Sequence, residues 1–426
     1  MPLSPLVRQL QQVPLTGEVL ERSLRPDRLR LSGAGRGARA LISSALARSA
    51  AAPLLVIVPT LEEAGRWASL LELMGWSSCQ LYPTSEGSPY EPLDPTSEIT
   101  WGQLQVLSEW MDGPGKGESG EVSKGLAVVA TERALQPHLP PPAALAAHCF
   151  SLRKGDLLDL EHLAATLTSL GYERVSTIEQ EGSWSRRGDI VDVFPVSAEL
   201  PVRLELFGDE LEKLREFDPA SQRSLDAIEV VRLTPTGYAP LIADILRDTM
   251  PDGLEDLLGP KATDELLEGG TPEGMRRLMG LAWSQPASLL DYLPAHTLVA
   301  VDERRHCLAH GQQWFDHARD HGADLASEHP QLPLTLHRDP KTALDQLEAF
   351  GGFDLAELFE TDSHPNSFDL ASRSVPAYPN AFGKLAGLVK GFTAEKAKVW
   401  LLSAQPSRAV ALLEEHDCIT RFVPNP

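Results

Sequence analysis

A glycine-rich stretch, LSGAGRGARALI at residues 31–42, could hold phosphate. Working phosphate loops read GxxxxGK[ST], because backbone N–H groups cradle the phosphates, the lysine neutralises their oxygens and the hydroxyl ligates magnesium. With Gly33 aligned to the first glycine, Ala38, Arg39 and Ala40 take the positions of the second glycine, the lysine and the hydroxyl residue. Arginine keeps the charge, but its planar fork does not fit the compact niche of a lysine, and alanine cannot ligate a metal.

An acidic pair, Asp302–Glu303, follows the apolar run LVAV. In working nucleotide hydrolases such a pair holds magnesium and orients the attacking water. Together with Gly33, Gly37 and Arg39 it outlines a degenerate nucleotide site that has lost its phosphate-binding half. Two interpretations remain open. The loop is a glycine-rich turn without nucleotide, or it belongs to an ATP-binding, helicase-type domain in which Arg39 replaces the lysine and hydrolysis is weak.

A group of arginine and aromatic residues lies in YERVSTIEQEGSWSRRGDIVDVFP. It contains Arg174, Arg186 and Arg187, with Trp184 and Phe194 close by in the sequence. Arginine and aromatic side chains are enriched at the energetic centres of protein interfaces, so the group predicts a partner-binding surface. The alternative is a solvated basic edge that offsets part of the chain's acidic excess.

Four histidines, His306, His310, His317 and His321, would share one stripe of a helix. We expect ordinary surface residues rather than a metal site, because Gly311 is expected to interrupt the helix and no HExxH pattern is present. Cys79, Cys149, Cys307 and Cys418 form no CxxC pair, which argues against structural zinc. GxSxG is absent too, and no residues are assigned to catalysis.

The elements around the glycine loop indicate an α/β domain. Residues 38–47 carry apolar side chains at helical spacing, and the buried runs LLVIV and LAVVAT are typical of parallel strands covered on both faces. From about residue 148 the pattern changes to a helix capped by Asp159, followed by alternating stretches with short turns. Such alternation predicts an antiparallel meander and therefore a separate α+β module.

The chain of 426 residues is too long for one core, so we expect several domains. Its formal charge of −22 disfavours nucleic acid as a general partner. No long apolar run or export signal is present, so we expect a cytoplasmic protein without a membrane partner. The predicted divisions are residues 1–147 and 235–345 for two parts of a nucleotide-type domain, 148–234 for an inserted module, and 346–426 for a linker and small α/β domain with a strand, a helix and a strand.

The ordered pattern RGDIVDVFP, PVRLELFGDE and FDPASQRS resembles the UvrB-homology module of bacterial transcription-repair coupling factors and the same module of UvrB. VIVPT and SLLDYLPAHTLVAVDE lie in the order found in that family, so the resemblance covers roughly residues 15–310. It implies a degenerate P-loop NTPase (RecA/helicase-like) parallel sheet, split by the UvrB-type module. The stretch between Tyr82 and Trp101 is too short for the DNA-clamping hairpin of UvrB.

In the family, this module docks UvrA, the damage-recognition ATPase. The resemblance implies that Arg174 and Arg187 contact UvrA, whereas a further family arginine is replaced here by Ser185, with Arg186 shifted by one position. It also implies that this region is not an enzyme and needs no cofactor. ATP and magnesium would belong to a translocase motor that is absent from this chain, and RNA polymerase and double-stranded DNA would bind through absent domains.

Overall fold

The computed structural model describes residues 4–25, 27–112, 125–250, 252–357, 366–372, 378, 381–401, 403 and 405–421. In chain order the strands are β1 (Leu29–Ser32), β2 (Leu54–Val58), β3 (Ser78–Tyr82), β4 (Leu126–Thr131), β5 (Phe150–Arg153), β6 (Glu173–Arg174), β7 (Ser183–Arg187), β8 (Ile190–Phe194), β9 (Val202–Phe207), β10 (Glu210–Phe217), β11 (Ser224–Ala227), β12 (Val230–Leu233), β13 (Leu298–Asp302), β14 (Gly352–Leu355) and β15 (Ser367–Asp369).

The helices cover the sheets and link the strands. They are α1 (Ser4–Gln11), α2 (Pro14–Ser23), α3 (Arg36–Ser49), α4 (Leu61–Leu73), α5 (Ser97–Asp112), α6 (Pro142–Ala147), α7 (Leu160–Ser169), α8 (Ala239–Thr249), α9 (Leu254–Leu258), α10 (Pro260–Leu267), α11 (Met279–Ala282), α12 (Arg304–Glu328), α13 (Pro340–Asp345), α14 (Phe382–Ala394) and α15 (Pro406–Glu414). Short 3-10 helices occupy Glu132–Leu135, Met275–Leu278, Leu289–Tyr292 and Gln346–Ala349. Within the described part of the chain, no helix is both long and apolar enough to cross a membrane.

A seven-stranded parallel sheet forms the centre of the larger domain, in the order β15-β1-β14-β13-β2-β4-β3. The predicted buried strands are confirmed as β2, β4 and β13, and every residue of these strands is buried. Successive side chains of β2 pack in two different cores. Leu54, Val56 and Val58 lie on the side of α1–α4, whereas Leu55 and Ile57 lie on the side of α5, α8 and α12. A strand covered on both faces must be apolar along its whole length.

The strands of this sheet come from residues 29–131 and 298–369, and residues 150–233 form two other sheets. The smaller module contains a six-stranded sheet, β11-β10-β9-β8-β7-β6, and the antiparallel pair β12-β5. The predicted meander is confirmed, because β7 to β11 pair antiparallel in sequence order.

Helix α7 packs against one face of the six-stranded sheet. Its predicted cap is confirmed, since the Asp159 carboxylate accepts hydrogen bonds from the backbone N–H groups of Glu161 and His162. Leu163 and Leu167 lie in one apolar cluster with Trp184 of β7.

Two strands of the main sheet lie beyond residue 345, the end of the predicted nucleotide-type domain. Strands β14 and β15 lie beyond residue 345 but flank β1 in the main sheet, where they cover both of its edges. In the tail, the predicted helix is confirmed as α15, but the described residues, 399–401, of the strand predicted at VWLL are not in a strand. The second predicted tail strand extends to residues outside the described part of the chain.

The expected helix break at Gly311 is wrong, because α12 is one continuous helix of 25 residues that contains Gly311. Gly311 is buried against α13 and the residues that follow β4. A Cβ atom there would lie 3.0 Å from Cβ of Pro340 and 3.2 Å from Cγ of Glu132. Glycine is present at this position because two elements approach the helix closely, while the helical hydrogen bonds continue past it.

We therefore expect Gly311→Ala to lower the free energy of unfolding by about 1–3 kcal/mol, the usual cost of overpacking. Urea unfolding followed by circular dichroism measures this free energy of unfolding. The matched control is Gly65→Ala in α4, where a Cβ would meet no atom within 4 Å. That variant should gain about 0.5–1 kcal/mol, since alanine is the better helix former. Equal gains in the two variants would contradict the close packing at Gly311.

Candidate functional site

The glycine loop connects β1 to α3 at the carboxyl edge of the main sheet. Gly33 has a φ of +72°, a left-handed conformation that favours glycine, and Gly35 is the extended residue that caps α3. The backbone N–H of Gly33 donates to the carbonyl of Glu357 at 3.1 Å. The loop therefore has the turn of a phosphate site, but the Gly33 donor is already used.

The side chain of Arg39 folds back into this loop. Its Nε donates to the carbonyl of Ala34 at 2.8 Å, Nη1 lies 2.5 Å from Oδ1 of Asp302, and Nη2 lies 2.8 Å from Oε1 of Glu303. The Arg39 side chain is only 7% exposed. The structure thus brings three predicted site residues together, with the guanidinium bound to both acidic groups.

Asp302 is enclosed on all sides. Its Oδ2 accepts a hydrogen bond of 2.7 Å from the indole Nε1 of Trp67, and Arg39 engages its Oδ1. Burial raises the pKa of Asp302, while the hydrogen bond from Trp67 and the charge of Arg39 act against that rise. Both carboxylate oxygens therefore have protein partners.

Glu303 lies at the junction between β13 and α12, in the left-handed region with a φ of 52°. Besides Arg39, its Oε1 accepts a hydrogen bond of 3.0 Å from the backbone N–H of Glu357. The same residue, Glu357, thus contacts both the acidic pair and Gly33. Its two contacts join the loop, β13 and the chain that follows β14.

The end of β15 and the residues after it lie against the glycine loop. A Cβ atom on Gly33 would be 2.1 Å from Oδ1 of Asp369, and the carbonyl of Gly33 accepts a hydrogen bond of 2.7 Å from the N–H of Ser372. A carboxylate at this point repels phosphate, and its closeness leaves no room for a side chain on Gly33. Gly37 lies in the first turn of α3, where an added Cβ would meet no atom within 4 Å.

The second group of candidate residues lies at the β6 edge of the six-stranded sheet. Arg174 is exposed, and its Cζ lies 5.2 Å from the centre of the Trp184 ring. Trp184 is itself 2% exposed, so the guanidinium covers a ring that belongs to the core. A cation over an indole face is favourable and fixes the direction of the arginine.

Arg186 and Arg187 lie at the tip of the β7–β8 hairpin and point to opposite faces, as neighbours in a strand do. Arg186 forms an ion pair of 2.7 Å with Glu161 of α7. Arg187 is exposed, and its Nη2 donates to the carbonyl of Ser176 at 2.9 Å. The three arginines therefore share one edge of the sheet, and Arg187 lies on the face away from α7.

The proposed contact residue Phe194 is not available to a partner. It is 4% exposed and packs with Ile178 and Phe217 in a small apolar cluster. The alternation of β8 places Phe194 on the face away from α7, where those two side chains cover it. Ser185, at the position of the missing family arginine, is also buried.

The histidine stripe lies along α12, with the rings of His317 and His321 6.3 Å apart. Across the described residues, no group of three or more histidine, cysteine, aspartate or glutamate side chains is arranged to hold a metal ion.

Sequence reasoning missed Trp67, Glu357 and Asp369. Their distances along the chain from residues 33–39 and 302–303 range from about thirty to more than three hundred positions, and no motif spacing identifies them. The signal for Trp67 was its place on the buried face of an amphipathic helix, which indicates packing but not its partner.

Comparison with known proteins gives two family matches and a set of relatives. A family model described as the UvrB interaction domain matches residues 150–238, and one described as the Rossmann-like domain of cyanobacterial Mfd matches residues 374–426. The chain is 30% identical over 317 residues to a transcription-repair-coupling factor of Mycobacterium tuberculosis, which covers 70% of this chain and 25% of that protein.

Two further relatives bear the same description. The protein of Escherichia coli K12 is 28% identical over 276 residues, which cover 63% of this chain and 23% of the relative. That of Bacillus subtilis 168 is 27% identical over 292 residues, or 64% of this chain and 24% of the relative. The chain spans about a quarter of the length of the curated relatives it matches.

The ion pair at the loop can be tested by mutation. Arg39→Ala leaves the Asp302 charge buried without its partner, so we expect a loss of about 3–5 kcal/mol in the free energy of unfolding, measured with urea. The double variant Arg39→Met/Asp302→Asn should recover most of that loss, because the asparagine carbonyl still accepts from Trp67.

The matched control is Arg36→Ala, which breaks the neighbouring pair with Glu63. The Arg36 side chain is 41% exposed, so the expected loss is at most about 1 kcal/mol. Equal losses for Arg36→Ala and Arg39→Ala would show that the Arg39 pair is not buried as described.

Proposed function

We propose that this chain is the amino-terminal part of a transcription-repair-coupling factor and acts as a non-catalytic platform that recruits UvrA during transcription-coupled nucleotide excision repair. One contrast carries the proposal. The UvrB interaction module has an exposed arginine edge, whereas the glycine loop of the larger domain is filled by the protein's own Arg39.

The contacts of the loop oppose ATP binding. The three altered loop positions remove the phosphate-binding lysine and the metal-ligating hydroxyl, and the acidic pair is neutralised by Arg39 instead of by a metal. Asp369 adds a negative charge where a triphosphate would approach. A nucleotide would have to displace a buried guanidinium and separate it from Asp302, which costs several kcal/mol.

The edge that carries Arg174 and Arg187 has the character of a docking surface. Both guanidinium groups are exposed and held in fixed directions, by the Trp184 ring and by the carbonyl of Ser176. Holding a long side chain before binding reduces the entropy lost on association. We therefore assign these two residues the main contacts with UvrA, while Arg186, paired with Glu161, contributes at the rim.

We propose that the other partners implied by the family bind outside this region. We assign RNA polymerase, duplex DNA, ATP and magnesium to the parts of the relatives that this chain does not match. The net charge of −22 favours a protein partner over a nucleic-acid backbone. We place the protein in the cytoplasm, without a membrane partner.

The UvrA contact is tested with Arg174→Ala/Arg187→Ala. Truncating a desolvated interfacial charge costs about 2–5 kcal/mol, so the dissociation constant for UvrA should rise at least about tenfold. Biolayer interferometry at two salt concentrations measures it. The wild-type association rate should fall as salt increases, because steering by exposed charges is screened.

A charge-matched control is Arg153→Ala/Arg223→Ala, which removes two exposed arginines of the same module away from the β6–β7 edge. It should bind UvrA like the wild type. Equally weakened UvrA binding by both double variants would show that the effect depends only on net charge. Unchanged UvrA binding by Arg174→Ala/Arg187→Ala would reject the assigned surface.

The absence of nucleotide chemistry is tested with a fluorescent ATP analogue and magnesium. We expect no saturable binding at analogue concentrations up to about 1 mM. A dissociation constant of that size corresponds to a binding free energy of only about −4 kcal/mol. The triple variant Ala38→Gly/Arg39→Lys/Ala40→Ser restores the loop motif but keeps Asp369. Magnesium-dependent turnover by the wild-type chain would reverse this part of the proposal and leave the UvrA test unaffected.

A further inference from the structure

Three large apolar side chains are exposed on the UvrB interaction module. Phe207, at the end of β9, is 80% exposed, Leu157 is 79% exposed, and Ile190, at the start of β8, is 38% exposed. A single exposed apolar side chain is ordinary on a protein surface, whereas several that adjoin one another mark a contact region. Whether these three adjoin one another therefore decides their significance.

The strand register places Ile190 beside Arg187. The two residues are cross-strand partners at the tip of the β7–β8 hairpin, and Ile190 is in turn the partner of Glu205 on β9. Partners across antiparallel strands point to the same face, with Cβ atoms about 4.5–5.5 Å apart. Ile190 therefore lies directly next to Arg187, on the face of the sheet away from α7.

Phe207 and Leu157 continue this surface in the next row of the sheet. Phe207 follows Glu205 by two positions, so the two side chains share a face. Glu210 is the partner of Phe207 across the β9–β10 hairpin, and Leu157 forms an isolated bridge with Glu210. Leu157, Phe207 and Ile190 therefore lie on one face, at one end of the six-stranded sheet.

The core of the module does not use these outward side chains. Leu158 and Leu206, the chain neighbours of Leu157 and Phe207, pack in the apolar cluster beneath α7. Alternation along a strand then directs Leu157 and Phe207 to the opposite face, where polar residues are the usual choice. Exposed apolar residues at two such positions indicate contact with another molecule.

Charged side chains border this apolar patch of Leu157, Ile190 and Phe207. Arg187 lies on its β7 side, and Glu210 lies between Phe207 and Leu157. An apolar centre with charged groups around it is the arrangement of interfaces whose energy is concentrated in a few residues. The opposite signs of Arg187 and Glu210 also require a partner with charges of both signs.

The occupant of the apolar patch follows from its continuity with Arg187. A protein interface of ordinary size covers about 800 Å² on each partner, the area of a disc about 16 Å in radius. Ile190 is the direct neighbour of Arg187, and Phe207 is a diagonal neighbour of Ile190, about 7–8 Å away. A protein that docks at Arg187 therefore covers both of these apolar side chains.

We propose that Phe207, Leu157 and Ile190 are the apolar anchor of the surface that docks UvrA. This inference rests on the proposed function and extends the contact surface from the arginine edge to the end of the β9–β10 hairpin. The matching surface of UvrA presents an apolar side chain, flanked by a carboxylate for Arg187 and a cation for Glu210. Burial of the anchor holds the complex together, while the arginines set the association rate.

The test compares UvrA binding by Leu157→Ser/Phe207→Ser and by the wild-type chain in biolayer interferometry. We expect the dissociation constant to rise at least about tenfold, mainly through faster dissociation, because the steering charges are unchanged. Phe207→Tyr keeps an aromatic ring and should bind like the wild type. Leu225→Ser is the matched control, since Leu225 is 48% exposed on β11 at the opposite edge of the sheet, and it should also bind like the wild type.

The outcomes separate this inference from the proposed function. Wild-type binding by Leu157→Ser/Phe207→Ser, together with weakened binding by Arg174→Ala/Arg187→Ala, would overturn the apolar anchor and leave the proposed function standing. Unchanged binding by both double variants would reject the two together. Equal weakening by Leu225→Ser would also overturn the anchor. So would a wild-type dimer in sedimentation velocity that Leu157→Ser/Phe207→Ser separates, because the patch would then bind a second copy of the chain.

Discussion

The buried contact of Arg39 with Asp302 and Glu303 is the constraint on which the larger domain depends. It joins residues 263 positions apart and connects the turn after β1 to the end of β13. Neither charge can lose its partner without a large desolvation penalty, so the pair fixes both the loop and the acidic residues. A loop with the turn of a phosphate site is an internal cross-link of the sheet.

This cross-link separates the roles of the two parts of the chain. The parallel sheet is apolar on both faces, and the polar groups of its glycine loop are satisfied within the protein. The UvrB interaction module displays its charge at one sheet edge, where packing decides which arginines are available: Trp184 and Ser176 orient Arg174 and Arg187, while Glu161 engages Arg186. An aromatic residue of the same sequence group, Phe194, supports the sheet from within.

The polar groups around the glycine loop are satisfied within the protein. At the glycine loop, Arg39, Asp302 and Glu303 satisfy one another, and Trp67 and Glu357 complete the set.

The sequence alone determined the strands β2, β4 and β13, the meander of the module and the loss of the phosphate-binding residues, because these follow from local apolar patterns and residue types. Tertiary structure decided the rest. The direction of Arg39, the approach of Asp369 to Gly33, the burial of Phe194 and the continuity of α12 through Gly311 depend on contacts between distant segments. Local periodicity cannot specify such contacts, since it records which face of an element is apolar but not which residue covers it.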